Sequence, residues 1–335
     1  MLTFAFIESL TAVYAERFLS GMFAAAVTPV ALAVIGDLAA SEAARARRLT
    51  FVSLAGISGF LLGPMMGVFL TQGSAIWLPV TGSLAVPLAG TALLAFLVAL
   101  GVLLTVSGGK PEQAADRHGL SAPKPAAWLV PRLLALSCIV SAGIGVFEVG
   151  LALRGKQQLG LTQYEIALMF TECSLVMLVV QAIVFSPWVK PEWTRWLIAP
   201  ALGVLAGGLF LVPRASSLAM MLVVIGAVAA SAGILSPIFT YWISSKAGKA
   251  QGAKLGAQTS AASLGAAFGS AAGGLLFGLV WLRDASFLLA AALSMAGVAL
   301  SLGLPRLLTP GKGVDGASQT NFQTTATPAA CKNAR

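Results

Sequence analysis

Few side chains in this sequence can do chemistry, and several of them stand inside long apolar runs. Glu148 lies in CIVSAGIGVFEVGLAL and is the only charged residue between Arg132 and Arg154. A charge at membrane depth is costly, which makes it a functional candidate by default. Ser141, Gly145 and Glu148 are spaced i, i+4 and i+7, so a helix puts them on one face. That small, polar face suits the wall of a cavity where Glu148 binds a cation or carries a proton. The alternative is a carboxylate near the outer interface, paired with Arg154. Glu172, in MFTECSLVMLVVQ, is a second carboxylate candidate, set against a polar packing role. Glu165 lies one heptad earlier on the same face and closer to water. Gln181 can hydrogen-bond a substrate or another helix. Arg17 is either a proton-coupling group or an interfacial, snorkelling arginine paired with Glu16. Asp37 precedes Arg45, Arg47 and Arg48, and the four read as a gate rather than a substrate contact.

The remaining inventory excludes several chemistries. Cys138, Cys173 and Cys331 are scattered, and His118 is the one histidine. No metal-ligand cluster follows from that set, and no nucleophile–base pair with histidine. No cofactor, no metal and no enzymatic activity are expected.

The elements that hold these groups are membrane helices. Of the 335 residues, 58% are hydrophobic and 10% charged, with a mean hydropathy of +0.89. A soluble domain carries roughly a quarter of its residues as charges. Spans long enough to cross a bilayer are expected at about 18–39, 50–71, 84–106, 131–153, 163–186, 194–212, 217–242, 254–279 and 285–305. Residues 1–13 resemble the tail of a further span. Strand-like alternation is absent, so the expected class is an all-α polytopic membrane protein. Trp188, Trp193, Trp196, Tyr241 and Trp242 are expected in an interfacial belt.

The net charge of +9 follows topology and does not indicate nucleic acid. Arg45, Arg47 and Arg48, then the 109–125 segment, then Lys190 and Arg195, then Lys246, Lys249 and Lys254 occupy every second loop. Loops of this kind face the cytoplasm, which places the C-terminus there too.

Residues 56–67, GISGFLLGPMMG, carry Gly59, Gly63 and Gly67 at intervals of four, with Pro64 beside the second. A matching ladder, Gly265, Gly269 and Gly273, recurs downstream. Pro29 lies 208 residues before Pro237, and Gly59 lies 206 before Gly265. Two pseudo-repeated halves are implied, and duplicated halves mark transporters with a site at their interface. The expected divisions are a helix bundle over 1–107, a cytoplasmic linker over 108–130, a six-helix bundle over 131–306 and a disordered tail over 307–335.

The stretch ERFLSGMFAAAVTPVALAVIGDLAASEAARARRL followed by GISGFLLGPMMG resembles the fourth and fifth helices of the major facilitator superfamily. Gly59, Gly63, Pro64 and Gly67 are similar to its antiporter motif GxxxGPxxGG, with Val68 in place of the last glycine. Arg17 and Gly21 are similar to its fourth-helix motif RxxqG, with Ser20 in place of the glutamine. The resemblance implies a secondary transporter working by alternating access, with proton-coupled efflux of small, hydrophobic molecules as the leading reading. It also implies proton coupling at Arg17, a bilayer environment and a monomer. An importer or exchanger of the same superfamily, or a truncated membrane protein without transport, are the alternatives. The resemblance implies twelve helices. About nine full ones and a partial one are visible, so about 80 residues are expected before Met1, if the halves match as repeats do.

Overall fold

A computed structural model of the chain describes residues 9, 11–23, 55–56, 58–59, 61–63, 65–71, 73, 85–105, 128–184, 193–245, 251–279, 281 and 284–308. Among these residues there is no strand. The principal helices are α1 (Ala85–Thr105), α2 (Leu129–Gln157), α3 (Gln163–Val184), α4 (Thr194–Leu211), α5 (Leu218–Ser245), α6 (Gln251–Gly278), α7 (Ala285–Ser301) and the short α8 (Leu304–Leu307). Five stretches, in α2 to α6, are long and apolar enough to cross a membrane. The helices of 17 or fewer apolar residues, Leu88–Leu104 and Ala285–Ser301, are shorter. The chain is an all-α, multi-pass membrane protein.

Each of these helices is explained locally. In hydrocarbon every backbone N–H and C=O must be satisfied within the segment, and a helix does so. α3 opens on a capping box. The Thr162 hydroxyl accepts from the Glu165 N–H (3.3 Å), while the Glu165 carboxylate accepts from the Thr162 N–H (2.8 Å) and hydroxyl (2.9 Å). This reciprocal pairing satisfies orphan donors at a helix start. Glu165 is therefore a cap. Gly160, at φ +64°, turns the chain between α2 and α3, a backbone conformation glycine adopts at no steric cost. Pro213 lies in a 3-10 turn (Val212–Arg214) closing α4.

The rear helices form one bundle with α2 at its centre. Leu133, Leu136, Val140, Phe147 and Leu151 of α2 are all buried. α2 packs most extensively on α6, α4 on α7 and α5, and α3 on α5. The α2–α6 contact is made by glycine. A Cβ built on Gly265 or Gly269 would fall on the carbonyl oxygen of Cys138 or Ala142, and one on Gly273 would lie 3.3 Å from the Val146 Cα. Gly145 returns the contact, because a Cβ there would lie 2.6 Å from the Ala266 carbonyl oxygen. Four small residues thus bring two backbones together, the packing available where lipid removes the hydrophobic drive.

Arginines tie this bundle at both ends. At one end the Arg132 Nε of α2 donates to the Leu300 carbonyl (2.5 Å), and an Arg195 Nη of α4 donates to the Leu308 carbonyl (3.2 Å). At the other end Arg154 of α2 donates to the Pro213 carbonyl (2.6 Å) and meets Asp284 before α7 (3.4 Å). The acceptors at Leu300 and Pro213 lie at or beyond helix C-termini, where carbonyls lack intrahelical donors.

The sequence and the structure differ at two places. Residues 11–23 are helical without a break, across the gap expected between 13 and 18. TAVYAERFLS contains no Gly or Pro, and an adjacent Glu–Arg pair does not stop a helix. Trp242, near the end of α5, faces the inside of the bundle: it is 3% exposed, and its indole N–H donates to the buried Thr194 hydroxyl at the start of α4 at 3.1 Å. Trp193 and Trp196 are exposed, at 58% and 61%. Pro29, Asp37, Arg45, Arg47, Arg48, Pro64, His118, Trp188 and Cys331, with most of the 108–130 linker and all but the first two residues of the 307–335 tail, lie outside the described residues.

A candidate carboxylate cleft

Glu148, the one charged residue between Arg132 and Arg154 of α2, lines a cleft of about 120 Å³. Ile144 and Phe147 flank it on α2, Cys173 and Met177 face it from α3, and Val228, Ala229 and Ala232 from α5. The α5 wall is built from small residues, and that is why there is space. The volume holds several waters or a small chemical group. It is below the roughly 300–1,000 Å³ of pockets that enclose drug-sized ligands.

Glu148 is half-buried. Arg154 does not reach it, being bound to Pro213 and Asp284. Glu172, one residue before Cys173, turns toward α5: its Oε1 lies 3.9 Å from where a Cβ on Gly226 would stand. Its Oε2 is buried without a hydrogen-bond partner among the described residues. Glu148 and Cys173 line the same cleft, and Glu172 is the residue before Cys173 on α3. Among the described residues no three His, Cys, Asp or Glu side chains are arranged to hold a metal.

The other expected site residues are placed differently. Gln181 is half-buried near the end of α3, two turns beyond Cys173. Arg17 pairs with Glu16 at 3.7 Å on the 11–23 helix, and Ser20 donates to the Arg17 carbonyl. Gly59, Gly63 and Gly67 are helical, and a Cβ on any of them meets no described atom within 4 Å. Ser141, Gly145 and Glu148 do not share one cavity wall, since Gly145 is covered by α6. Sequence reasoning missed Gln258 of α6. It is 8% exposed and donates to the Thr240 hydroxyl of α5 at 2.9 Å. A glutamine in the Ala/Ser/Gly-rich run GAKLGAQTSAAS was the available signal.

A family model described as the Major Facilitator Superfamily matches residues 1–257, well over half of the chain, and the chain belongs to that family. It is 27% identical over 251 residues to Multidrug resistance protein 1 of Bacillus subtilis (strain 168), covering 71% of this chain and 60% of that protein. It is 25% identical over 254 residues to Multidrug resistance protein 2 of the same organism, covering 72% and 60%. The chain spans about 60% of the length of these curated relatives.

Proposed function

We propose that the chain is a secondary transporter that exports small, hydrophobic molecules in exchange for protons, by alternating access. The observation that carries this reading is Glu148: a carboxylate within an apolar helix, not reached by Arg154 and facing a small cleft between three helices. Family membership supports transport. The relatives named for multidrug resistance support export over import. Glu148 is the proton carrier in this reading. Glu172 is a second acidic group, Gln181 and Arg17 are further coupling or substrate candidates, and Asp37 with Arg45, Arg47 and Arg48 forms a gate.

The bundle over 1–107 and the bundle over 131–306, joined by the 108–130 linker, rock about a central site. The protein works as a monomer in the cytoplasmic membrane with its C-terminus inside.

The test is dye export by the full chain in liposomes under an imposed pH gradient, using a fluorescent hydrophobic dye. Glu148→Gln should remove the dependence on the gradient. An unchanged pH profile in that variant removes Glu148 from the mechanism. A wild-type chain that moves no dye leaves the non-transporting reading in its place.

A further inference from the structure

The arginines at the two ends of the bundle are balanced differently. Arg154 meets a carboxylate, that of Asp284, at 3.4 Å. At the opposite end Arg132 and Arg195 are half-buried, and the oxygens they bond are the neutral carbonyls of Leu300 and Leu308. The Arg195 Nε is buried with no hydrogen-bond partner among the described residues. The two carbonyls bracket α8, which carries a third arginine, Arg306, on its exposed side. Three guanidinium groups thus gather on the 300–308 segment, and none of them has an ion-pair partner among the described residues. Each guanidinium carries more N–H donors than one carbonyl can take, and a half-buried charge held by neutral groups alone is costly. The arrangement suits an anion. Its surroundings are apolar. Trp128 is exposed just before α2, Trp193 and Trp196 are exposed on either side of Arg195, and Leu302 and Leu307 are exposed beside Arg306. The Arg195 guanidinium carbon lies 5.8 Å from the centre of the Trp196 ring.

We propose that this end of the bundle binds an anionic phospholipid, with Arg132, Arg195 and Arg306 on the headgroup and the exposed tryptophans and leucines beside its acyl chains. The planar arginine fork matches the geometry of a phosphate, and basic pockets between membrane helices hold anionic headgroups. Tryptophan favours the level where headgroups meet hydrocarbon. A soluble phosphate would use the arginines alone, whereas a phospholipid also uses the apolar side chains around them. The site stands at the opening of α2, away from the Glu148 cleft, and does not rest on proton coupling.

The test is quenching of the tryptophan fluorescence of the full chain in phosphatidylcholine nanodiscs, by rising fractions of brominated phosphatidylglycerol or brominated phosphatidylcholine. Phosphatidylglycerol should reach half-maximal quenching at a mole fraction at least about fivefold lower, the gain that one arginine brings near an anionic lipid. Arg306→Gln, on an exposed side chain that bonds no described residue, should reduce that preference without disturbing the fold. Arg195→Gln should reduce it further. Arg214→Gln, at the other end of α4, should leave it unchanged. Equal midpoints for the two lipids in the unmodified chain overturn the proposal. A preference kept in full by both Arg306→Gln and Arg195→Gln places the bound lipid elsewhere and overturns it too. An equal loss in Arg214→Gln reduces the effect to overall charge, with the same consequence. Loss of the preference on adding glycerol 3-phosphate overturns the lipid assignment in favour of a soluble phosphate.

Discussion

A buried carboxylate oxygen without a partner is held at a free-energy cost, because its ionised form loses water and gains nothing in return. Among the described residues Glu172 Oε2 is such an atom. Evolved proteins keep destabilising groups where function needs them. Glu172→Gln should therefore leave the thermal unfolding midpoint of the detergent-purified chain unchanged or raised, while lowering pH-driven export. A lowered midpoint would show that the carboxylate holds the fold instead. The tryptophans give a second contrast. Trp242→Phe keeps the ring packing but loses the indole N–H to Thr194, at a cost of about 1 kcal/mol. Trp193→Phe, on an exposed side chain, should be close to neutral in the same assay. Equal effects would mean that both tryptophans sit in one environment. These roles separate by burial, which sequence does not carry: WISS and EWTR look alike as ends of apolar runs. Glu165 is the converse. Its TQYE spacing is a legible helix start, and the structure forms the cap.

Helices were the legible level. Runs of about 20 apolar residues have one low-energy backbone in lipid, and the expected 163–186 and 217–242 correspond to Gln163–Val184 and Leu218–Ser245. What a run of glycines cannot disclose is which helix it meets. Gly265, Gly269 and Gly273 meet α2, while Gly59, Gly63 and Gly67 meet no described atom within 4 Å. Nor could the cleft be read in advance, since its walls join residues 144, 173 and 228, brought together only by packing. The two ladders predict opposite responses to one substitution. Gly269→Leu drives a branched side chain into the Ala142 carbonyl and must part α2 from α6. Loss of folded protein on size-exclusion chromatography is expected. Gly63→Leu should insert and fold normally and lose dye export, as the antiporter resemblance implies. Normal export by Gly63→Leu would free that ladder from the mechanism, and a well-folded Gly269→Leu would contradict the α2–α6 seat.

At the scale of the molecule, charge and topology converge. Successive helices alternate direction, so Arg132, Arg195, Lys254 and the end of α7 belong to one end of the bundle. Arg154, Pro213 and Asp284 belong to the other. The hydrogen bonds from Arg132 to Leu300 and from Arg154 to Pro213 are the direct record of that grouping. In the orientation proposed above this end faces the cytoplasm, the side on which basic residues such as Arg132, Arg195 and Lys254 accumulate. The two ends can be told apart chemically. With Cys138, Cys173 and Cys331 replaced by serine, Ser217→Cys and Leu307→Cys each present one exposed thiol, at opposite ends. A membrane-impermeant maleimide added to intact cells should label the Ser217→Cys variant and spare the Leu307→Cys variant. Inside-out vesicles should reverse the pattern. Labelling of both from the same side would break the alternation of helices. Labelling of the Leu307→Cys variant alone in intact cells would invert the orientation, turning the arginine-rich end outward, and proton entry to Glu148 would then have to be drawn from the opposite face.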